Sequence, residues 1–292
     1  MQVTRKSGRH DSRGRRTTPR NKALHHILLI VVTMTIGCAD TIRAQYPGPF
    51  LTDETRPNGI YFLPEPPENV KDSIGGCFYN DWWYYQWGKG VRDLYAVKDE
   101  GVELLSEDEE GVFNDIIGLE FGEKAPEILR LAQAATTDVH TATKALKKHF
   151  RCLRPFAFFG EPSITPEKDK ELAREWGYPS GHAARGWMFA YVLSQVAPDR
   201  ANALAQRAYT YAMNRVVFGH HWKSDIDAGQ TLASVIFAAV SATDAYQKQL
   251  KKARKEYKRV KQTKGVQNDS TRPQTLGHSY DLLGQHLKSL PK

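Results

Sequence analysis

APEILRLAQAATTDVHTATKALKKHF, residues 125 to 150, returns apolar side chains at helical spacing and nowhere alternates them as a half-buried strand does. Ala125-Pro126-Glu127 is a good opening for a helix, since proline at the first helical position gives up an N–H that has no intrahelical partner anyway. The same spacing spreads in both directions. Upstream, VRDLYAVKDEGVELL (91–105) reads as a helix. Downstream, AARGWMFAYVLSQVA (183–197) runs to Pro198 and ANALAQRAYTYAMNRVVF (201–218) stops at Gly219. A single long helix then extends from about Ser224 past Tyr246. Strand signals are nearly absent, so the expected fold class is an all-α helical bundle.

At 292 residues with 40% hydrophobic content, the chain can bury one sizeable core. The helical domain is expected over residues 76–258, opening near NDWWYYQWGKG (80–90), whose dense aromatics read as packing rather than as a sugar or base platform. Residues 45–75, with FLPEPPENV (62–70), are proline-rich and acidic and should form an extended lead-in. Residues 259–292 make a basic and polar tail, either a continuing solvated helix or a frayed end.

Charge is unevenly placed. Residues 1–44 carry about +7 and residues 248–264 about +8, so a chain of net charge +8 leaves about −7 on everything else. An acidic body argues against a nucleic-acid surface on the core, and it makes any basic residues gathered in a pocket a local feature. The leader has the secretory pattern: basic residues through Lys22, then the apolar run HILLIVVTMTIG (26–37), then small residues, with Ala39 or Ala44 as the end of the cut segment. That run is too short to favour a lasting membrane span, which needs about 20 apolar residues, and no later stretch is long enough, so an exported mature protein without a stable span is expected. TIGC, ending at Cys38, faintly resembles a lipoprotein box. If Cys38 leaves with the leader, Cys77 and Cys152 remain as an even pair in an oxidising compartment, which leaves a disulfide open. Their spacing fits no zinc pattern.

Three islands carry residues suited to chemistry. KKHFRCLRPF (147–156) places Lys147 and Arg154 two helical turns apart, hence on one face, joining a compact ammonium to a planar guanidinium fork. YPSGH (178–182) sets His182 at a helix start that Ser180 could cap, where unpaired amides such as that of Gly181 favour an anion. NRVVFGHHWKSD (214–225) spaces His221 and Asp225 four apart, on one face if the next helix includes both, so that the carboxylate can hold one ring nitrogen and leave the other as a nucleophile. Arg215 adds a second guanidinium, while His220 falls off that face. Singly, the islands read as a solvated helix end, a cap and a structural ion pair. Together they supply what phosphoryl transfer needs: cations on the oxygens, an oriented nucleophile and a proton donor.

K-x6-R-P at 147–155, P-S-G-H at 179–182 and R-x5-H-x3-D at 215–225 resemble the three-part signature of type 2 phosphatidic acid phosphatases, bacterial class A non-specific acid phosphatases and vanadium haloperoxidases. The likeness is nearest to the class A acid phosphatases and covers roughly residues 62 to 258. The third motif departs in one place, with Asn214 where serine is usual. The resemblance implies that His221 attacks phosphorus, oriented by Asp225, and that His182 protonates the leaving alcohol and then activates water. It gives the phosphoryl oxygens to Lys147, Arg154, Arg215, Ser180 and the Gly181 amide. It implies no metal or other cofactor, small phosphomonoesters as substrates, phosphate or vanadate as inhibitors, an acidic optimum and a periplasmic location, and leaves a homo-oligomer open. A vanadate haloperoxidase, a lipid phosphatase and a non-catalytic phosphate-binding protein are the competing readings.

Overall fold

A computed structural model describes residues 48–67, 77–96, 109–118 and 124–263. Its helices are α1 (Cys77–Ala96), α2 (Glu109–Ile117), α3 (Pro126–Phe150), α4 (Pro155–Phe159), α5 (Pro166–Leu172), α6 (Gly181–Val196), α7 (Ala201–Val217), α8 (Lys223–Ser241) and α9 (Asp244–Thr263), with single 3-10 turns at Gly59–Tyr61 and Pro198–Arg200. The fold is all-α, with no strand among the described residues. These residues all belong to one unit, Pro47–Lys292. The leader lies outside the described residues, as do residues 97–105 of the helix expected over 91–105 and the tail beyond Thr263.

The helix α6 is the axis of the bundle, packed by α3, α7 and α8. It is apolar nearly all round, with Ala183, Ala184, Met188, Phe189, Ala190, Val192 and Leu193 buried, which is the pattern of a helix enclosed by others. Enclosing each large side chain such as Met188 or Leu193 contributes about 1.5–3 kcal/mol. α3 starts with Pro126 in its first turn, as its sequence leads one to expect, yet no local side chain caps it. Instead Glu256, buried on α9, accepts the N–H groups of Glu127 and Ile128, each at 2.9 Å. A second buried carboxylate, Asp138, accepts the amides of Phe50 (2.8 Å) and Leu51 (3.2 Å) and pins the lead-in to α3. The described part of that lead-in is not purely extended, since it turns at residues 52–56 and again at Gly59–Tyr61.

Two expectations are corrected. The long helix past Tyr246 is two helices, α8 and α9, meeting at a 92° bend. Thr243 accepts the Tyr246 N–H (3.2 Å) and starts the second, while the Tyr246 ring is fully buried. Lys147 and Arg154 do not share a helix, because α3 ends where Arg151 takes a left-handed conformation (φ 53°). The aromatic stretch on α1 does pack, with Tyr85 and Trp87 buried, although Trp82 is exposed. Among the described residues no single helix is long and apolar enough to cross a membrane.

Candidate active site

Three distant segments meet around one cavity of about 810 Å³: the C-terminal end of α3 with the turn after it, the start of α6, and the turn between α7 and α8. Lys147, Arg154, Gly181, His182, Arg215 and His221 all stand in its wall. Ser180 and Asp225 lie behind that wall. Ser180 is fully buried and caps α6, its Oγ accepting the Ala183 N–H at 3.4 Å. The Gly181 amide, at the first position of that helix, belongs to the group of N–H donors for which a helix offers no partner of its own.

The start of α8 is bound to the start of α6. The Ser180 N–H donates to the Asp225 carbonyl (2.9 Å), and a Cβ on Gly229 would stand 2.7 Å from the Ser180 carbonyl oxygen. Only a bare glycine lets the two helices come so near. Asp81, from α1, completes the joint by accepting the Ser224 amide (2.7 Å) and hydroxyl (2.5 Å).

His221 does not lie within α8 as its four-residue spacing to Asp225 suggested. α8 begins at Lys223 with Trp222 as its cap, Asp225 is the third residue of the helix, and the carboxylate reaches back across the cap. It accepts the His221 Nδ1 proton at 2.9 Å and the Trp222 amide at 3.1 Å. On the other side of the ring, Nε2 lies 3.0 Å from Arg154 Nη1. A guanidinium has only donors, so Nε2 must be the accepting nitrogen and the proton sits on Nδ1. The same Nη1 donates to the His220 carbonyl (3.1 Å).

Backbone carbonyls hold the cations. Arg154 Nε donates to the Glu175 carbonyl (3.0 Å), and Lys147 Nζ to those of Gly177 (3.0 Å) and Trp176. The Gly177 amide in turn donates to the Cys152 carbonyl (2.8 Å), and a Cβ on Gly177 would lie 2.9 Å from Asp225 Oδ2. Arg215 is buried, its guanidinium above the rings of Tyr211 and Phe218 at 5.2 and 5.1 Å.

Crowding cations in a dry site sets the protonation states. Burial, then Arg154 and Lys147, push His221 far below its ordinary range, which keeps the imidazole neutral. Burial, then Arg215, Arg185 and Arg154, do the same to His182. Lys147 is lowered by burial and by Arg154, while Asp225 is raised by burial against the pull of Lys147. An anion in the cavity would offset this excess of positive charge.

Several contributors escaped the sequence reading. Asp81 and Gly177 act through a hydrogen bond and a close approach between segments far apart in the chain, which leave no local motif. Arg185 lies one turn beyond His182 in the cavity wall, and that spacing on α6 could have flagged it. His220 also lines the cavity, but its Nε2 is engaged by the hydroxyls of Thr165 (3.0 Å) and Ser163 (3.1 Å). Burial and the Arg215 charge push it down to about 3. Cys152 is a free, buried thiol, while the Cys77 side chain lies outside what the structure describes. Burial raises it to about 12.

A neutral histidine held by a carboxylate and turned among three cations suits a tetrahedral anion. Comparison with known proteins agrees. The PAP2 superfamily model matches residues 128–249. A non-specific acid phosphatase of Providencia stuartii is 33% identical over 219 residues, covering 73% of this chain and 86% of that protein. One of Salmonella typhimurium is 34% identical over 232 residues, covering 78% and 88% respectively. An acid phosphatase of Zymomonas mobilis is 32% identical over 145 residues, covering 49% and 54%. The chain belongs to the PAP2 superfamily, among its non-specific acid phosphatases, and is a phosphatase.

Proposed function

We propose that this chain hydrolyses phosphomonoesters to an alcohol and inorganic phosphate in two steps, through a phosphohistidine on His221. Lys147, Arg154 and Arg215 neutralise the non-bridging oxygens, together with the Gly181 amide at the positive end of α6. Ser180 serves by capping that end. Arg154 turns its Nη1 donor from His221 Nε2 to a phosphoryl oxygen, which frees the ring lone pair. Nε2 then forms a bond to phosphorus as the ester P–O bond breaks, and the electron pair of that bond leaves on the alcohol oxygen, which takes a proton from His182. In the second step His182 receives a proton from water, the water oxygen bonds to phosphorus, and the P–N bond breaks to return neutral His221. Asp225 keeps the Nδ1 proton in place throughout and stabilises the charge the ring acquires.

The observation that carries this reading is the His221 ring, with one nitrogen held by a buried carboxylate and the other lacking a proton among cations. An acidic optimum follows, because His182 must enter the first step protonated, and burial and its arginine neighbours oppose this until a substrate dianion compensates the charge. Phosphate and vanadate should compete for the same oxygens. The basic leader and the apolar run at 26–37 support export to the periplasm, which amino-terminal sequencing of the protein from fractionated cells would check. The decisive variant is His221→Ala, assayed on 4-nitrophenyl phosphate. A loss on the order of a thousandfold or more is expected, and an unchanged rate would remove His221 as the nucleophile.

A further inference from the structure

Resting on the phosphatase reading, we propose that the mouth of the cavity selects phosphomonoesters whose leaving group carries a second anionic group, held by Lys144, Lys148, Lys168 and Arg174. The wall contains eight Lys and Arg residues against two carboxylates, Glu167 and Glu175. Three of the cations, Lys147, Arg154 and Arg215, are committed to the transferred phosphoryl group. Five remain, and this surplus stands in a body that is otherwise acidic.

Four of these five are exposed at the mouth, while Arg185 is half-buried nearer His182. Lys144 and Lys148 lie one helical turn apart on α3, so they present their charges side by side. Lys168 belongs to α5 and Arg174 follows its end, and both stand in the wall of the same cavity. Glu175 does not cancel the surplus, since its carboxylate is mostly exposed and approaches Arg154 at 3.8 Å.

The volume of about 810 Å³ exceeds what a phosphate ion occupies and leaves room for a leaving group beside it. A neutral sugar or aryl alcohol would gain less from four ammonium and guanidinium heads than an anionic group does, and an apolar one would be served by aromatic walls. Apart from histidines, Trp176 is the one aromatic residue in the wall. A second phosphate or a carboxylate on the leaving group makes use of the charges, and their field also raises its local concentration at the mouth.

The test compares kcat/KM for glucose 6-phosphate and glucose 1,6-bisphosphate, which differ by one phosphate, in the full-length protein and in the variant K144A/K148A/R174A, at low and at high salt. All three positions are exposed, so the variant should fold. The expected result is a preference of the wild type for the bisphosphate that falls roughly tenfold in the variant and shrinks with added salt, while the rate on glucose 6-phosphate changes by less than about twofold. Equal losses on both substrates, or an unchanged ratio, overturn the proposal. If the wild type hydrolyses neither sugar phosphate nor 4-nitrophenyl phosphate, the phosphatase reading beneath it is overturned as well.

Discussion

The His221 ring is asymmetric by construction: Asp225 fixes a proton on Nδ1, Arg154 meets the bare Nε2, and burial among cations keeps the whole neutral. Asp225→Asn keeps the shape and removes the acceptor charge, so the ring loses the partner that sets its tautomer. We expect kcat for 4-nitrophenyl phosphate to fall on the order of 10³–10⁴-fold with little change in fold, measured by steady-state kinetics beside circular dichroism. His182 titrates in the opposite sense to its need, because burial, then Arg215, Arg185 and Arg154, favour its neutral form. In its proposed role as general acid it works when protonated, so activity should be present on the acid side and be lost as pH rises through its pKa. Arg185→Gln removes one opposing charge and raises that pKa, so the alkaline limb of the kcat profile should move to higher pH, and a limb that stays or moves down contradicts the role. At this scale much was legible, for the residue types and their spacings brought Lys147, Arg154, His182, Arg215 and His221 forward as candidates. The reasons were less so. Helical periodicity explains neither the meeting of Lys147 with Arg154 nor that of His221 with Asp225, since both pairs are joined across helix ends.

Among the elements, the joint between α6 and α8 matters most, because it sets the oriented histidine against the amide end of α6. Asp81 holds it from α1 through the Ser224 amide and hydroxyl. Asp81→Ala leaves two half-buried donors without an acceptor and should cost about 1 kcal/mol of stability, read as a lower midpoint in urea. The loss should also lower kcat, since α8 carries Asp225. Gly229→Ala places a methyl 2.7 Å from the Ser180 carbonyl and must push the helices apart, at a cost of about 1–3 kcal/mol and with a disproportionate loss of activity. Equal stability and activity in both variants would show that the joint does not position the site. Periodicity revealed the helices themselves, but not this joint, nor the bend at residues 242–243, where neither Gly nor Pro interrupts the pattern. Thr243 followed by Asp244 was the available cue, being a capping residue before an acid in the first turn.

Across the whole molecule, charge and packing pull apart. The bundle encloses three cations in its interior with few carboxylates nearby, so they repel one another and a bound anion relieves that repulsion. Inorganic phosphate should therefore stabilise the fold, by about 2.7 kcal/mol at a concentration of about 100 times its Kd, measured as a rise in Tm. The rise should be smaller in Arg215→Gln. A Tm that ignores phosphate would speak against an anion site. The all-α class was readable from composition and periodicity, and the acidic body made a cationic pocket meaningful before any geometry was known. What could not be read is how Lys147 and Arg154 are tolerated, because the carbonyls of Glu175, Trp176 and Gly177 that hold them carry no side-chain signature.

The central claim is a covalent bond between His221 and phosphorus, and trapping tests it most directly. A phosphate ester labelled in its phosphoryl group, mixed with the enzyme and quenched in alkali within milliseconds, should leave label that is acid-labile, base-stable and confined to the peptide bearing His221. Label on any other residue, or a burst of alcohol release with no labelled enzyme, would contradict the account.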